Sequence, residues 1–350
     1  MRSAIILAAG KGTRMKSALN KVMHPVSNKP MIGHIVCSLR KAGVDNIVVV
    51  VGHGAESVRE YLGDSVRYAV QEPQLGTGHA VMQAQCLADL DGDTLILNGD
   101  GPCIQSETID RVFAANADSE MTVLTAVLPD GERYGRIIRN AEGYVERIVE
   151  AKDCTPQELA VTEINTGIFC FKNRLLFAHL KEIRNDNAQQ EYYLTDLVAI
   201  FNQCGLRVNA LVADDPQETM GVNDRIDLAK AQKWMTRHEC ERHMRNGVTI
   251  IDPETVYIDV GVKIGADTVI YPNVIIQGDT VIGERVTILS NSFLRNAVIA
   301  DEVCIDSSKI VESSVGARTT IGPMSHLRNH TEIAEDCRIG NFVEFKNSHF

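Results

Sequence analysis

The sequence predicts an α/β unit, a sheet with helices on both faces, followed by a parallel β-helix of hexapeptide repeats. Two patterns carry that expectation. Short β-branched runs alternate with amphipathic helical stretches up to about residue 220. An aliphatic residue then recurs at every sixth position through most of the remaining chain. A third observation, the segment LAAGKGTRM from Leu7 to Met15, marks where the first unit would do chemistry.

Taken in order, Ile5, Ile6 and Leu7 read as a buried strand, and Gly10 and Gly12 open a turn that carries Lys11 and Arg14 at its C-terminal edge. Ile47 to Val51, Thr94 to Leu97, Met121 to Val127 and Ile168 to Phe171 read as further strands, separated by helical stretches such as Met31 to Ala42. Asp224 to Asn246 reads as one helix ended by Gly247, with Ile226, Leu228, Ala231 and Trp234 as its apolar side. The expected organisation is a first domain over 1–224, a linker helix over 225–247 and a β-helix over 248–350.

In the last domain Ile258, Ile264, Ile270, Ile276, Ile282, Ile288 and Leu294 fall six apart. Val262, Thr268, Val274, Thr280, Val286 and Ser292 follow the first six of them by four places. Period six belongs neither to a helix nor to an ordinary strand. It suits triangular coils in which three short strands each point one aliphatic residue inward. The phase slips around Ile299, Ile305 and Ile310 and resumes at Val315, Ile321, Leu327, Ile333, Ile339 and Phe345, which an insertion or a corner would explain.

Composition narrows the function classes. A chain of 350 residues, 44% hydrophobic and 23% charged, can bury cores for two domains. A net charge of -11 and a pI near 5.4 argue against nucleic acid or an anionic membrane as the main partner. Nine cysteines, among them Cys37, Cys86, Cys154 and Cys240, form no CxxC pair and no metal-ligand spacing, as in a reduced cytoplasmic protein. The N-terminal apolar run is too short for a signal peptide or a membrane span.

The glycine-rich turn is a place to hold a polyphosphate, since glycines let backbone N–H groups approach phosphate oxygens and the two cations neutralise charge. A dinucleotide fingerprint would need a glycine at Met15, and a P-loop would need Gly-Lys followed by Ser or Thr after four intervening residues. The two glycines alone also suit a plain surface turn. LAAGKGTRM, then Lys21, then Asn28-Lys29-Pro30-Met31, resembles the signature of the sugar-phosphate nucleotidyltransferases.

Over the whole chain the motifs LAAGKGTRM, QEPQLGTGHA, NGDGP, YGRI, VEAKD, EINTGI, EYYLTD, GVNDR, the hexapeptides and GNFVEFKN stand in order. Together they resemble the bacterial bifunctional family that joins an N-acetylglucosamine-1-phosphate uridyltransferase to a glucosamine-1-phosphate acetyltransferase. The resemblance implies a Rossmann-like α/β nucleotidyltransferase domain and a left-handed parallel β-helix. It implies UTP and N-acetylglucosamine 1-phosphate as substrates, Mg²⁺ as cofactor, a homotrimer formed through the β-helix, and a cytoplasmic enzyme of cell-envelope precursor synthesis, with no nucleic acid and no membrane insertion.

By the same resemblance Leu7, Ala8, Ala9, Gly10, Lys21, Gln71, Gly76 and Thr77 bind the nucleotide. Asp100 and Asn223 hold the metal, and Gly135, Glu150 and Asn165, with Asn223, bind the sugar. Arg14 and Lys21 act on the phosphates. Each has a plainer reading as a turn residue or solvated polar group, and Thr77 as a helix cap. Gly101 departs from the family, where a larger apolar residue is usual, and Asn329-His330 replace its Pro-Gly. Arg328 and Lys346 match two residues of the acetyl-acceptor site. The family continues its β-helix beyond the position of Phe350, where its catalytic histidine lies, so no acetyl transfer is expected of this chain. A uridyltransferase for another sugar 1-phosphate, such as glucose 1-phosphate, and a non-catalytic scaffold are the alternatives.

Overall fold

The computed structural model describes residues 1–131, 133–187 and 189–350. The chain divides into two compact units, Met1–Pro25 with Lys29–Ala231, and Val26–Asn28 with Gln232–Phe350. The division falls inside the helix Arg225–Arg245.

The first unit is built on a nine-stranded sheet. Its main path runs Val208–Val212, Met121–Val127, Glu163–Lys172, Asp93–Asn98, Arg2–Ala8, Asn46–Val51, Arg67–Val70. The central strands read as almost continuous apolar runs because both faces are covered. Ala4, Ile6, Val49 and Leu97 join a core with Ile32, Ile35 and Leu39 of the helix Met31–Lys41. Ile5, Val48, Val50 and Ile96 join the opposite core with Val81, Leu197 and Phe201. Alternate residues thus go to opposite faces, as the two-residue period of a strand requires. This is the Rossmann-like architecture.

One strand of this path runs the other way. Glu163–Lys172 is antiparallel to both neighbours, while Arg2–Ala8 is parallel to Asn46–Val51 and to Asp93–Asn98. Its N-terminal residues therefore lie at the edge where the parallel strands end, which is the edge where open α/β sheets bind ligands.

The second unit is a left-handed parallel β-helix. Three sheets of six, six and five short parallel strands stack coil on coil. Ile264 pairs with Ile282 and Ile270 with Ile288, which sets eighteen residues per coil. The predicted inward row is buried, with Ile258, Ile270, Ile276 and Ile288 fully enclosed and Ile264 half-buried, and the row four places on is buried too, at Thr268, Val274, Thr280 and Val286. Corner residues such as Asp267, Asn273, Asn291 and Asn296 take φ between +49° and +64°, the left-handed region that Asn and Asp tolerate best among residues with a side chain.

Two expectations need correction. Of the two explanations for the phase slip the corner holds and the insertion does not: Leu294 to Ile299, Ile305 to Ile310 and Ile310 to Val315 are shortened, five-residue steps, and Leu294 pairs with Ile310. Each corner loses one residue while the strands stay in register, because the parallel ladder is indifferent to how the corner is turned. The linker helix keeps only part of its predicted stripe: Ala231 is buried and Leu228 half-buried. Ile226 is 69% exposed, and Trp234 is only partly covered, stacking on His238 with ring centroids 5.0 Å apart. Ala231, Met235, Glu239, Cys240 and His243 are buried, at the spacing of a helical face. Asp224 caps its start, its Oδ1 accepting the N–H groups of Ile226 and Asp227, and Gly247 follows its end at φ +90°.

Candidate active site

The turn after the first strand is shaped around Lys21. A Cβ at Gly12, where φ is +58°, would lie 2.5 Å from the Lys21 Cβ, so glycine is what lets the lysine stem pass. A Cβ at Gly10 would meet nothing within 4 Å, leaving open space at the end of Leu7–Gly10. Gln74 closes the side of the turn by donating from Nε2 to the Ala9 carbonyl at 2.6 Å.

Four predicted residues from three distant segments converge there. Lys21 Nζ donates to Asp100 Oδ2 at 2.5 Å and to Asn223 Oδ1 at 3.2 Å, and Arg14 Nη2 donates to the same Asn223 oxygen at 2.7 Å. Asp100 follows the strand Asp93–Asn98, and its own carbonyl accepts the Val222 N–H at 2.8 Å, which brings Asn223 alongside. An Asp carboxylate and an Asn amide oxygen thus share one cation, here the Lys21 ammonium. Hard oxygen donors in that arrangement fit a divalent ion once polyphosphate draws the lysine away. Among the described residues no group of three or more His, Cys, Asp or Glu could hold a metal unaided.

Beside these residues is a cavity of about 510 Å³, lined among others by Leu7, Thr77, Asn98, Glu150, Asn165 and Tyr193. Strand register assembles one wall of it, the one that carries the residues expected to bind sugar. Arg136 pairs with Val149 on one side and Ile164 on the other, so Gly135, Glu150 and Asn165, each one residue further along, are drawn together. A bulge between Asn165 and Ile168 turns the chain out, and Asn165 Oδ1 accepts the Gly167 N–H at 2.9 Å. Gly167 has φ +79°, and a Cβ there would stand 2.6 Å from Asn98 Nδ2. Burial pushes the Glu150 carboxyl above its ordinary range, Lys152 pulling it back and Asp153 adding to the rise.

The loop expected to read the base is held by the segment around Tyr192. Gly76 has φ +105°, and a Cβ on it would lie 2.6 Å from the Tyr192 carbonyl oxygen. The Tyr192 N–H donates to the Leu75 carbonyl and its own carbonyl accepts the Gly78 N–H, both at 2.8 Å. Thr77 is not a helix cap: its Oγ1 accepts the Leu194 N–H at 3.0 Å. Gln71 is nearly buried and donates from Nε2 to the Gly76 carbonyl at 2.9 Å. Gln189, Tyr193 and Thr195, along with Arg133 and Lys152, also line the cavity and had no assigned role in the sequence reading. The first three reach it through hydrogen bonds of Tyr192 and Leu194 to a segment more than a hundred residues away, which no local spacing reveals.

Arg328 and Lys346 stand elsewhere, on one sheet of the β-helix, where they pair in register, and Arg328 Nε donates to Glu344 Oε1 at 2.6 Å.

The nucleotidyl transferase family model matches residues 3–218, and the GMPPB C-terminal domain model matches residues 252–349. The bifunctional protein GlmU of Latilactobacillus sakei subsp. sakei strain 23K is 50% identical over 350 residues, spanning 99% of this chain and 76% of that protein. This chain belongs to the GlmU family. The GlmU protein of Geobacillus sp. strain WCH70 is likewise 50% identical, over 100% of this chain and 77% of its own length. A solved structure from Bacillus anthracis, described as a glucose-1-phosphate thymidylyltransferase in complex with a sucrose, superimposes with a TM-score of 0.54 at 22% identity. It covers 66% of this chain and 94% of its own, and shows a shared fold. As a member of the GlmU family the chain is a nucleotidyltransferase enzyme. Among the described residues no helix is long and apolar enough to cross a membrane.

Proposed function

We propose that the chain transfers uridyl from UTP to N-acetylglucosamine 1-phosphate, giving UDP-N-acetylglucosamine and pyrophosphate, as a cytoplasmic step toward cell-envelope precursors. The observation that carries this reading is the meeting of Arg14, Lys21, Asp100 and Asn223 beside a cavity walled by Glu150 and Asn165.

Asp100 and Asn223 would hold Mg²⁺. When bound, the ion neutralises polyphosphate charge and makes pyrophosphate a better leaving group. The residues Leu7 to Gly10 leave room for the phosphates, with Gln71, Gly76 and Thr77 framing the uracil. A sugar 1-phosphate oxygen is already ionised, so it attacks the α-phosphorus of UTP without a general base. The work of the protein is alignment and charge neutralisation. Lys21 serves the phosphates at the reacting centre and Arg14 the departing pyrophosphate. Asn165 can both donate to and accept from the sugar, and Glu150 accepts from its hydroxyls.

Pyrophosphate release with UTP and a panel of sugar 1-phosphates tests the reading. A cavity that hydrogen-bonds an acetamide leaves buried polar groups unpaired with a sugar lacking it, so N-acetylglucosamine 1-phosphate should exceed glucose 1-phosphate in kcat/KM by about 100-fold or more. Equal values would mean a different sugar specificity, and no release with any member would mean a scaffold rather than this enzyme.

A further inference from the structure

Arg133 lies on the rim of the cavity, in the segment between the strands Met121–Val127 and Arg136–Arg139. Its Nη2 donates to Asp227 Oδ2 at 3.0 Å. That same carboxylate oxygen accepts the backbone N–H of Asn223 at 3.2 Å. Asn223 in turn presents Oδ1 to Arg14 and Lys21, next to Asp100. A continuous chain of hydrogen bonds therefore runs from the mouth of the cavity to the candidate metal ligand. Asp227 is its hub. Its side chain is 17% exposed, and Lys230, the other cation near it, stands at 3.8 Å and is itself 74% exposed, so Arg133 is its better-placed partner.

We propose that Arg133 and Asp227 form a positioning clamp that fixes the Asn223 segment for metal and phosphate. The two residues act through Asn223 and touch no reacting atom. The assignment rests on the uridyl-transfer reading, and goes beyond it in naming residues for which that reading has no use. The clamp is a shared-partner arrangement: the guanidinium and the Asn223 N–H meet on one carboxylate oxygen, so the cation steadies the acceptor that holds the segment. Residues supporting a metal ligand typically change metal affinity or activity by about 10-fold to 100-fold when removed.

The test uses the full chain and the variants Arg133→Ala, Arg133→Lys, Asp227→Asn and the double variant Arg133→Ala/Asp227→Asn. The first readout needs no ligand, metal or turnover: the backbone and side-chain amide resonances of Asn223 in the free protein. Both single variants should displace them, although residue 133 is ninety positions away in sequence. The second readout is the Mg²⁺ concentration for half-maximal pyrophosphate release, which should rise about 10-fold in either single variant, with the double no worse than the worse single. Arg133→Lys should recover most of the loss. Unmoved Asn223 resonances in Arg133→Ala would overturn the clamp. So would a loss in Arg133→Ala confined to the KM for sugar phosphate while Asp227→Asn behaves as the parent, because Arg133 would then contact substrate directly. Absence of turnover in the unsubstituted chain would sink the uridyl-transfer reading, and the resonances would still decide the clamp.

Discussion

In the proposed reaction Arg14 and Asp100 both face phosphate, yet they should fail differently when removed. Asp100 contributes a hard oxygen beside Asn223, and its carboxylate supports no apolar core, so Asp100→Ala should abolish pyrophosphate release while the far-UV spectrum stays unchanged. Arg14 is exposed, and its hydrogen bond to the Asn223 oxygen holds its guanidinium beside Lys21 and Asp100, where the proposed reaction would develop charge on the leaving group. A preorganised donor of this sort is worth about 10²-fold to 10³-fold in rate. Arg14→Ala should therefore lose that much in kcat while the affinity for sugar phosphate, measured by calorimetry, changes little; the reverse pattern would put Arg14 at the sugar. These residues could be named from the sequence because their chemistry is written in residue type and motif. Tyr193 and Thr195 stand in the EYYLTD motif without a role, and Gln189 stands outside it, because what brings them to the cavity is the hydrogen bonding of Tyr192 and Leu194 to Leu75, Gly78 and Thr77. That pairing is a property of the folded chain alone.

At the scale of elements, the legible features are those with a period. Alternation places Ile5 and Ile6 on opposite faces of the sheet, and the six-residue repeat gives both inward rows of the β-helix. The linker helix shows where this stops. Its apolar residues do not form one stripe, and Ile226 is left outside while His243 and Glu239 are buried. Charge on the opposite side blurs the pattern further. The second inward row has a role of its own: Thr268 Oγ1 donates to the Gly283 carbonyl at 3.0 Å and accepts the Val286 N–H at 3.1 Å, stitching one coil to the next. Thr319 does the same with Ala334 and Cys337. Thr268→Val keeps the shape but strands both backbone groups in a site with no exposure, so it should cost about 1–3 kcal/mol by chemical denaturation. A change below a few tenths would mean that the hydroxyl only fills space.

At the scale of the molecule, the two units have separate cores that share no residue. A single two-state transition is then not expected. Calorimetry should resolve two, and UTP with Mg²⁺ should raise only the one belonging to the nucleotidyltransferase unit. A ligand at a hundredfold excess over its Kd adds about 2.7 kcal/mol. For a unit of this size that moves Tm by about 5–10 °C. Acid offers the complementary probe. His243, 2% exposed in the second unit, is held down to about 4 by burial and by the Arg242 guanidinium, against a pull the other way from the Val262 carbonyl. Its folded value lies below the unfolded one, so the neutral ring favours the fold above pH 6.5 and that contribution drains away as pH falls toward 4. Between pH 7 and pH 5 the loss from this group is about 2 kcal/mol. The β-helix transition of the parent chain should fall by several degrees over that interval, and in His243→Gln the same interval should produce a visibly smaller fall, since glutamine has no proton to take up. Equal pH slopes in the two proteins would show that the histidine is not what acid attacks, and one merged transition that UTP moves as a whole would show that the units unfold together.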